Sequence, residues 1–211
     1  MLELLVAVIS AAFTLIIILD PLLSVSMFIN LTRDLQKPEM IRQAFVATGV
    51  AGALMLTFLI INNLLFDLLG IELERFKVAG GIILFILGLQ IVLGLDIGGS
   101  SAGHKNLESP YRIGKKSMAG VIIGTLVMCG PGTITTVMIL GAQDGSLLTL
   151  VAVILAMFCI WLILIFSAQI KKLLGETVLE ILSKIVGLLL TAIAVHTIWT
   201  GILGLIALSV A

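Results

Sequence analysis

Charge is scarce in this sequence. Only 11% of its 211 residues are Asp, Glu, Lys or Arg, against roughly a quarter in a soluble domain, so an ordinary water-facing surface cannot be built from it. Neither sign is in excess. The 12 basic and 12 acidic residues leave a formal net charge of zero, which removes the electrostatic case for a nucleic-acid partner. Cysteine is scarce too. Cys129 and Cys159 both lie inside apolar runs, which excludes a disulfide framework and a CxxC metal or redox pair and leaves them as small buried hydrophobes. There is no GxxxxGK[ST] and no HExxH, so neither ATP hydrolysis nor zinc-protease chemistry is expected. The histidines and intramembrane carboxylates are too few for a metal cage. No Ser/Lys or Ser/His dyad stands at a convincing depth. An enzyme is not expected, nor is a cofactor.

What is present is apolar. Hydrophobic residues make up 60% of the chain, and the mean hydropathy is +1.28. Six apolar stretches stand out, at 4–30, 41–66, 76–95, 117–141, 147–169 and 178–208. Each reaches about 20 residues or more, enough to cross a ~30 Å hydrocarbon layer as a helix. No Lys or Arg precedes the first run, so it reads as a mature helix and not as a removable signal. The expected class is an all-α membrane protein with six transmembrane helices.

Basic residues orient the spans. The loops after spans 1, 3 and 5 share one side. That side gathers Arg33, Lys37, Arg42, Lys105, Arg112, Lys115, Lys116, Lys171, Lys172 and Lys184, while the other holds only Arg75 and Lys77. Ten against two places those loops in the cytoplasm of a cell-membrane protein and both termini outside.

A weak internal repeat runs through the chain. Pro21 aligns with Pro131 at an offset of 110. In spans 3 and 6, Lys77 aligns with Lys184, Gly80 with Gly187 and Gly94 with Gly201 at an offset of 107. Triplets of spans joined by one cytoplasmic loop have opposite topology, so the pattern predicts a 3+3 inverted repeat, a common transporter design. Its parts are a first repeat at 1–95, a connecting loop at 96–116 and a second repeat at 117–211.

Spans 1 and 4 carry the chemistry. Asp20 lies in the first apolar stretch, directly before Pro21. A carboxylate at mid-membrane depth costs about 2.5–3.5 kcal/mol on insertion scales, so it is kept where it faces a cavity or a partner. Pro21 removes a backbone donor and pushes Asp20 out of the α region, which predicts a helix break followed by Ser24 and Ser26. A plainer reading is a kinked helix in which Asp20 caps the new N-terminus; a cap can also touch substrate. In span 4, Gly130, Pro131 and Gly132 predict the matching break, followed by Thr133, Thr135 and Thr136. A helix starting there leaves amides unpaired at its positive end, suited to an anionic group. Here the plainer reading is a kink satisfied by threonine hydroxyls.

If the repeats are inverted, the two breaks meet near the bilayer midplane, one supplying a carboxylate and the other free amides and hydroxyls. Such a chamber suits a small zwitterion, its ammonium toward Asp20 and its carboxylate toward the Gly132, Thr133 and Ile134 amides. The candidate substrate-binding residues are Asp20, Pro21, Ser24, Gly130, Pro131, Gly132, Thr133, Ile134 and Thr135. Asp20, Gln90 in span 3 and His196 in span 6 are candidates for proton or cation coupling, although a lone membrane histidine is more often an interhelical hydrogen-bonding group.

The runs LDPLLSVSMFINLT, FKVAGGIILFILGLQIVLG and GPGTITTVMIL resemble the MarC-type family of integral membrane proteins, which includes the SnatA small neutral amino acid transporters. The resemblance covers nearly the whole chain. It implies six spans, an inverted repeat, external termini and, for the transport members, secondary carriage of glycine and alanine coupled to protons or cations. Asp20 and Pro21 match the family's first break, and Gly130, Pro131, Gly132 and Thr133 its second. Where relatives often carry further prolines before the second break, this chain has GVIIGTLVMC. The alternatives are an exporter of ions or other small metabolites and, from another class, a non-transporting membrane scaffold.

Overall fold

The computed structural model describes residues 2–32, 35–94 and 115–210, and every regular element among them is a helix. The first apolar stretch forms α1 (Leu2–Ile18) and α2 (Pro21–Thr32), the second α3 (Lys37–Leu69) and the third α4 (Leu73–Leu93). The fourth is divided into α5 (Lys115–Ile122), a π-helical turn (Ile123–Met128) and α6 (Pro131–Gln143). Then follow α7 (Ser146–Ile165) and α8 (Ser167–Val210), the latter interrupted at Gly175, where φ is 74°. The connecting loop expected at 96–116 lies outside the described residues, apart from Lys115 and Lys116, which open α5. Pro21, Pro38 and Pro131 each stand in the first turn of a helix, where the missing amide costs nothing.

Four segments are long and apolar enough to cross a bilayer alone: Lys37–Asn62, Leu73–Leu93, Ser146–Ile165 and Thr177–Ser209. The α1–α2 pair, bent by 47° at its junction, makes a fifth if it is one span. The stretch at 117–141, expected to be a span broken once, is not among them. Its break and π turn leave helices of 8 and 13 residues, each shorter than the ~20 residues a crossing needs.

Those pieces nevertheless run alongside α3. Gln43 Oε1 accepts the Gly120 amide at 2.8 Å, and Asn62 Nδ2 donates to the Met138 carbonyl at 2.8 Å. Between these contacts Gly124 lies so close to the Ala47 carbonyl that no Cβ would fit. From Gln43 to Asn62, α3 rises roughly 28 Å at 1.5 Å per residue. Asn62, for which an interfacial place near the end of span 2 is enough on the sequence, is thus a buried bridge between α3 and α6.

The core has two parts. The larger joins α1, α2, α3, the π turn, α6 and α7 through residues such as Leu15, Phe28, Met55, Met128, Val137 and Ile160. The smaller sets Ile17 and Ile18, at the end of α1, with Leu84 of α4 and Leu190 and Ala194 of α8. Helices α4 and α8 pack backbone to backbone, as small residues allow in membranes. A Cβ added at Gly88 would lie 2.8 Å from the Thr191 amide nitrogen.

Lys77, counted above with the sparse basic residues of one side, is buried in a bidentate pair with Glu74, its Nζ 2.8 and 2.9 Å from the two carboxylate oxygens. Gly201 and Gly204 of α8 leave the room this pair occupies. Removing one partner strands a charge, whereas replacing both removes the problem. Glu74→Gln alone is therefore expected to lower the melting temperature in detergent more than Glu74→Gln combined with Lys77→Met.

Candidate functional site

The first break lies at Leu19–Asp20. The Leu19 and Asp20 amides still reach back to the Leu15 and Ile17 carbonyls, at 2.9 and 3.1 Å, and then the chain turns. Asp20 has φ 39°, the one positive value on a non-glycine among the described residues, and Asp is among the few residues that enter this region at low cost. Its carboxylate caps α2. The Leu23 amide donates to Oδ1 at 3.1 Å, and the Ser24 amide donates to the Asp20 carbonyl at 3.0 Å. Ser183 of α8 donates its hydroxyl to the other carboxylate oxygen, Oδ2, at 3.3 Å. Asp20 is 4% exposed, and its carboxylate sits where the positive end of α2 favours an anion.

The second break lies at Cys129–Gly130. The π turn ends with the Cys129 amide on the Gly124 carbonyl at 3.1 Å, and α6 restarts at Pro131. The Ile134 amide donates to the Gly130 carbonyl at 3.1 Å, so it is engaged in the first turn. An α-helix beginning here provides no intrahelical acceptor for the Gly132 and Thr133 amides. Thr135 and Thr136 turn their hydroxyls back to the Pro131 and Gly132 carbonyls at 2.8 and 2.9 Å. The methyl of Thr135 presses on Gly80 of α4. Gly130 is half-buried with open space beside its Cα, and Pro131 is exposed.

The breaks share a construction. At the first, Ser24 donates its hydroxyl to the Leu19 carbonyl at 3.1 Å; at the second, Thr133 donates to the Met128 carbonyl at 2.9 Å. Each bond crosses its break and pairs a carbonyl that the interrupted ladder leaves over. Ser24→Ala and Thr133→Val are each expected to cost about 1–3 kcal/mol, because a buried carbonyl loses its donor; thermal unfolding of the purified variants measures this.

The breaks also border one apolar cluster. Ile17 and Ile18 pack in the same cluster as Leu84, and a Cβ added at Gly132 would lie 2.8 Å from Leu84 Cδ2. Of the coupling candidates, Asp20 stands at the first break and the other two lie elsewhere. Gln90 is half-buried farther along α4, and His196 is exposed on α8. Ala194 and Ile198 take the face of α8 that meets Gly81 of α4, and His196 falls between them on the opposite face. Ser183 and Leu84 are the residues that sequence reasoning missed. No spacing or motif ties either to Asp20, which lies 163 residues from Ser183.

A cleft lies farther along α1 and α6. It has a volume of about 500 Å³ and is lined on α1 by Glu3, Val6, Ala7, Ser10, Ala11 and Thr14, and on the far end of α6 by Leu140 and Asp144.

Long apolar helices packed through glycines, with breaks followed by proline-opened helices, define an integral membrane protein. The chain belongs to the MarC family of integral membrane proteins, whose family model matches residues 5–206. It is 31% identical over 202 residues to a UPF0056 membrane protein of Aquifex aeolicus, covering 94% of this chain and 93% of the relative. It is 32% identical over 191 residues to a UPF0056 membrane protein of Methanocaldococcus jannaschii, covering 89% and 91%. It is 28% identical over 201 residues to the UPF0056 inner membrane protein YhgN of Escherichia coli K12, covering 92% and 95%. No solved structure matches the chain.

Proposed function

We propose that this protein is a secondary transporter of small neutral amino acids such as glycine and alanine, driven by a proton or sodium gradient. It acts as a carrier and not as an enzyme. The observation that carries this reading is that both breaks border the apolar cluster around Leu84, Ile17 and Ile18 belonging to it and Gly132 lying against Leu84. One break presents the Asp20 carboxylate, and the other presents the Gly132 and Thr133 amides. A zwitterion has ends complementary to these two groups and needs no metal or cofactor to bind them. Broken helices whose ends face substrate at mid-depth are the recurrent device of such carriers.

The reading takes the chain as six spans in two inverted halves, 1–95 and 117–211, with both termini outside a cell membrane. The course of 115–143 beside α3 supports it. Its contacts with Gln43 and Asn62 extend over nearly the ~30 Å thickness of a hydrocarbon layer. The cleft supports it as well, since Glu3 and Asp144 lie at one end of the molecule, as the four crossings between them in a six-span chain require. The resemblance to amino acid carriers supplies the substrate class.

Radiolabelled alanine uptake into proteoliposomes tests the reading, with a proton or sodium gradient imposed separately. Saturable uptake driven by either gradient is the expected result, and the gradient that works identifies the coupling ion. Transport of ions or other metabolites without amino acid uptake would favour the exporter alternative. A protein that binds and moves none of them would be a scaffold.

A further inference from the structure

Resting on the transport reading, we infer that the cleft between α1 and α6 is its entrance, a vestibule that admits cationic and zwitterionic amines and turns anions away. The two helices lining it each end at one of the breaks. Thr14, the lining residue of α1 nearest the break in sequence, lies six residues before Asp20, roughly 9 Å of helix. Leu140 lies nine residues after Pro131, roughly 14 Å. The cleft therefore runs along the two helices that border the breaks.

Its shape and charge fit a small amine. The lining on α1 follows one helical stripe, from Glu3 to Thr14, with a polar residue at each end and Ser10 between. A volume of about 500 Å³ is ample for an amino acid. Among the described residues, the charged side chains lining the cleft are Glu3 and Asp144, both acidic and exposed. Like charges flanking a low-dielectric cleft focus their field into it and raise the local concentration of cations. The Thr14 hydroxyl is committed to the Ser10 carbonyl at 3.0 Å, and the acidic pair supplies the charge that sets the preference. A ligand arriving this way comes ammonium first, as Asp20 requires.

The test is charge-selective labelling. Ala7, half-buried in the middle of the stripe, is changed to cysteine in a chain whose Cys129 and Cys159 are replaced by alanine. The thiol is then treated with a cationic or an anionic methanethiosulfonate in proteoliposomes. The cationic reagent is expected to react at least about tenfold faster relative to its rate with a free thiol. Adding Glu3→Gln and Asp144→Asn should erase that preference, and labelling should block alanine uptake. Equal normalised rates for the two reagents would overturn the acidic vestibule. Labelling that leaves uptake untouched would overturn its role as the entrance. The charge preference reads out without transport, so its presence in a protein that moves no amino acid would sink the transport reading and not the selectivity of the cleft.

Discussion

Asp20→Asn is expected to abolish coupled alanine uptake in proteoliposomes while the protein stays folded. The substitution separates two roles that one carboxylate holds. As a cap, Asn serves about as well as Asp. It tolerates the positive φ of this position, and its carbonyl oxygen can still accept from the Leu23 amide or the Ser183 hydroxyl, the two donors that hold Asp20. What disappears is the negative charge. A hydrogen bond to a charged group contributes roughly 1.5–3 kcal/mol, and each 1.4 kcal/mol is about tenfold in affinity. A substrate ammonium therefore loses about 10- to 100-fold in binding, and a coupled ion loses its carboxylate altogether. The melting temperature should stay within a few degrees of the wild type. Asp20→Ala, by contrast, removes the cap as well and should lower both, by about 1 kcal/mol in stability. Normal uptake by Asp20→Asn would show that the carboxylate is structural only.

Gly88→Val should produce the largest loss of stability. A Cβ there would meet the Thr191 amide nitrogen at 2.8 Å and the Gly187 carbonyl oxygen at 2.9 Å. Both are backbone atoms, which cannot swing aside as the tip of a leucine can. The helices must separate, and the contacts that α4 and α8 make through Gly81 and Gly187 open with them. Overpacking typically costs 1–3 kcal/mol, and a backbone clash belongs at about 3 kcal/mol. For a chain of this size that is roughly a 6–12 °C fall in melting temperature. Gly49→Ala is the control. Nothing lies within 4 Å of its added Cβ, and alanine is the better helix former, so its melting temperature should be unchanged or slightly higher.

Much of this was legible in the sequence, for reasons that differ by residue. Apolar runs located the helices because a bilayer sets their length; 147–169 became Ser146–Ile165, and 76–95 became Leu73–Leu93. Pro21 and Pro131 marked the breaks because proline acts through the local backbone, whatever its neighbours. Neighbour-dependent features were hidden. The π turn at Ile123–Met128 follows close packing of Gly120 and Gly124 on α3, and a glycine's spelling does not name its partner. The burial of Lys77 depends on Glu74 and on two glycines far away in sequence. Ser183 meets Asp20 only through the docking of α8. The face occupied by His196 was hidden for another reason. In a membrane helix both the lipid side and the protein side are apolar, so periodicity gives little warning of which residues point inward.

Two interrupted helices framing one site is the claim on which the rest stands. Equilibrium binding of radiolabelled alanine to the purified protein tests it most directly, comparing the wild type with Asp20→Asn and with Gly132→Leu, each altering one break. Saturable binding by the wild type, weakened at least about tenfold by either change in proteins that remain folded, is the predicted result. Binding that survives both changes undiminished would place the ligand elsewhere and contradict the account.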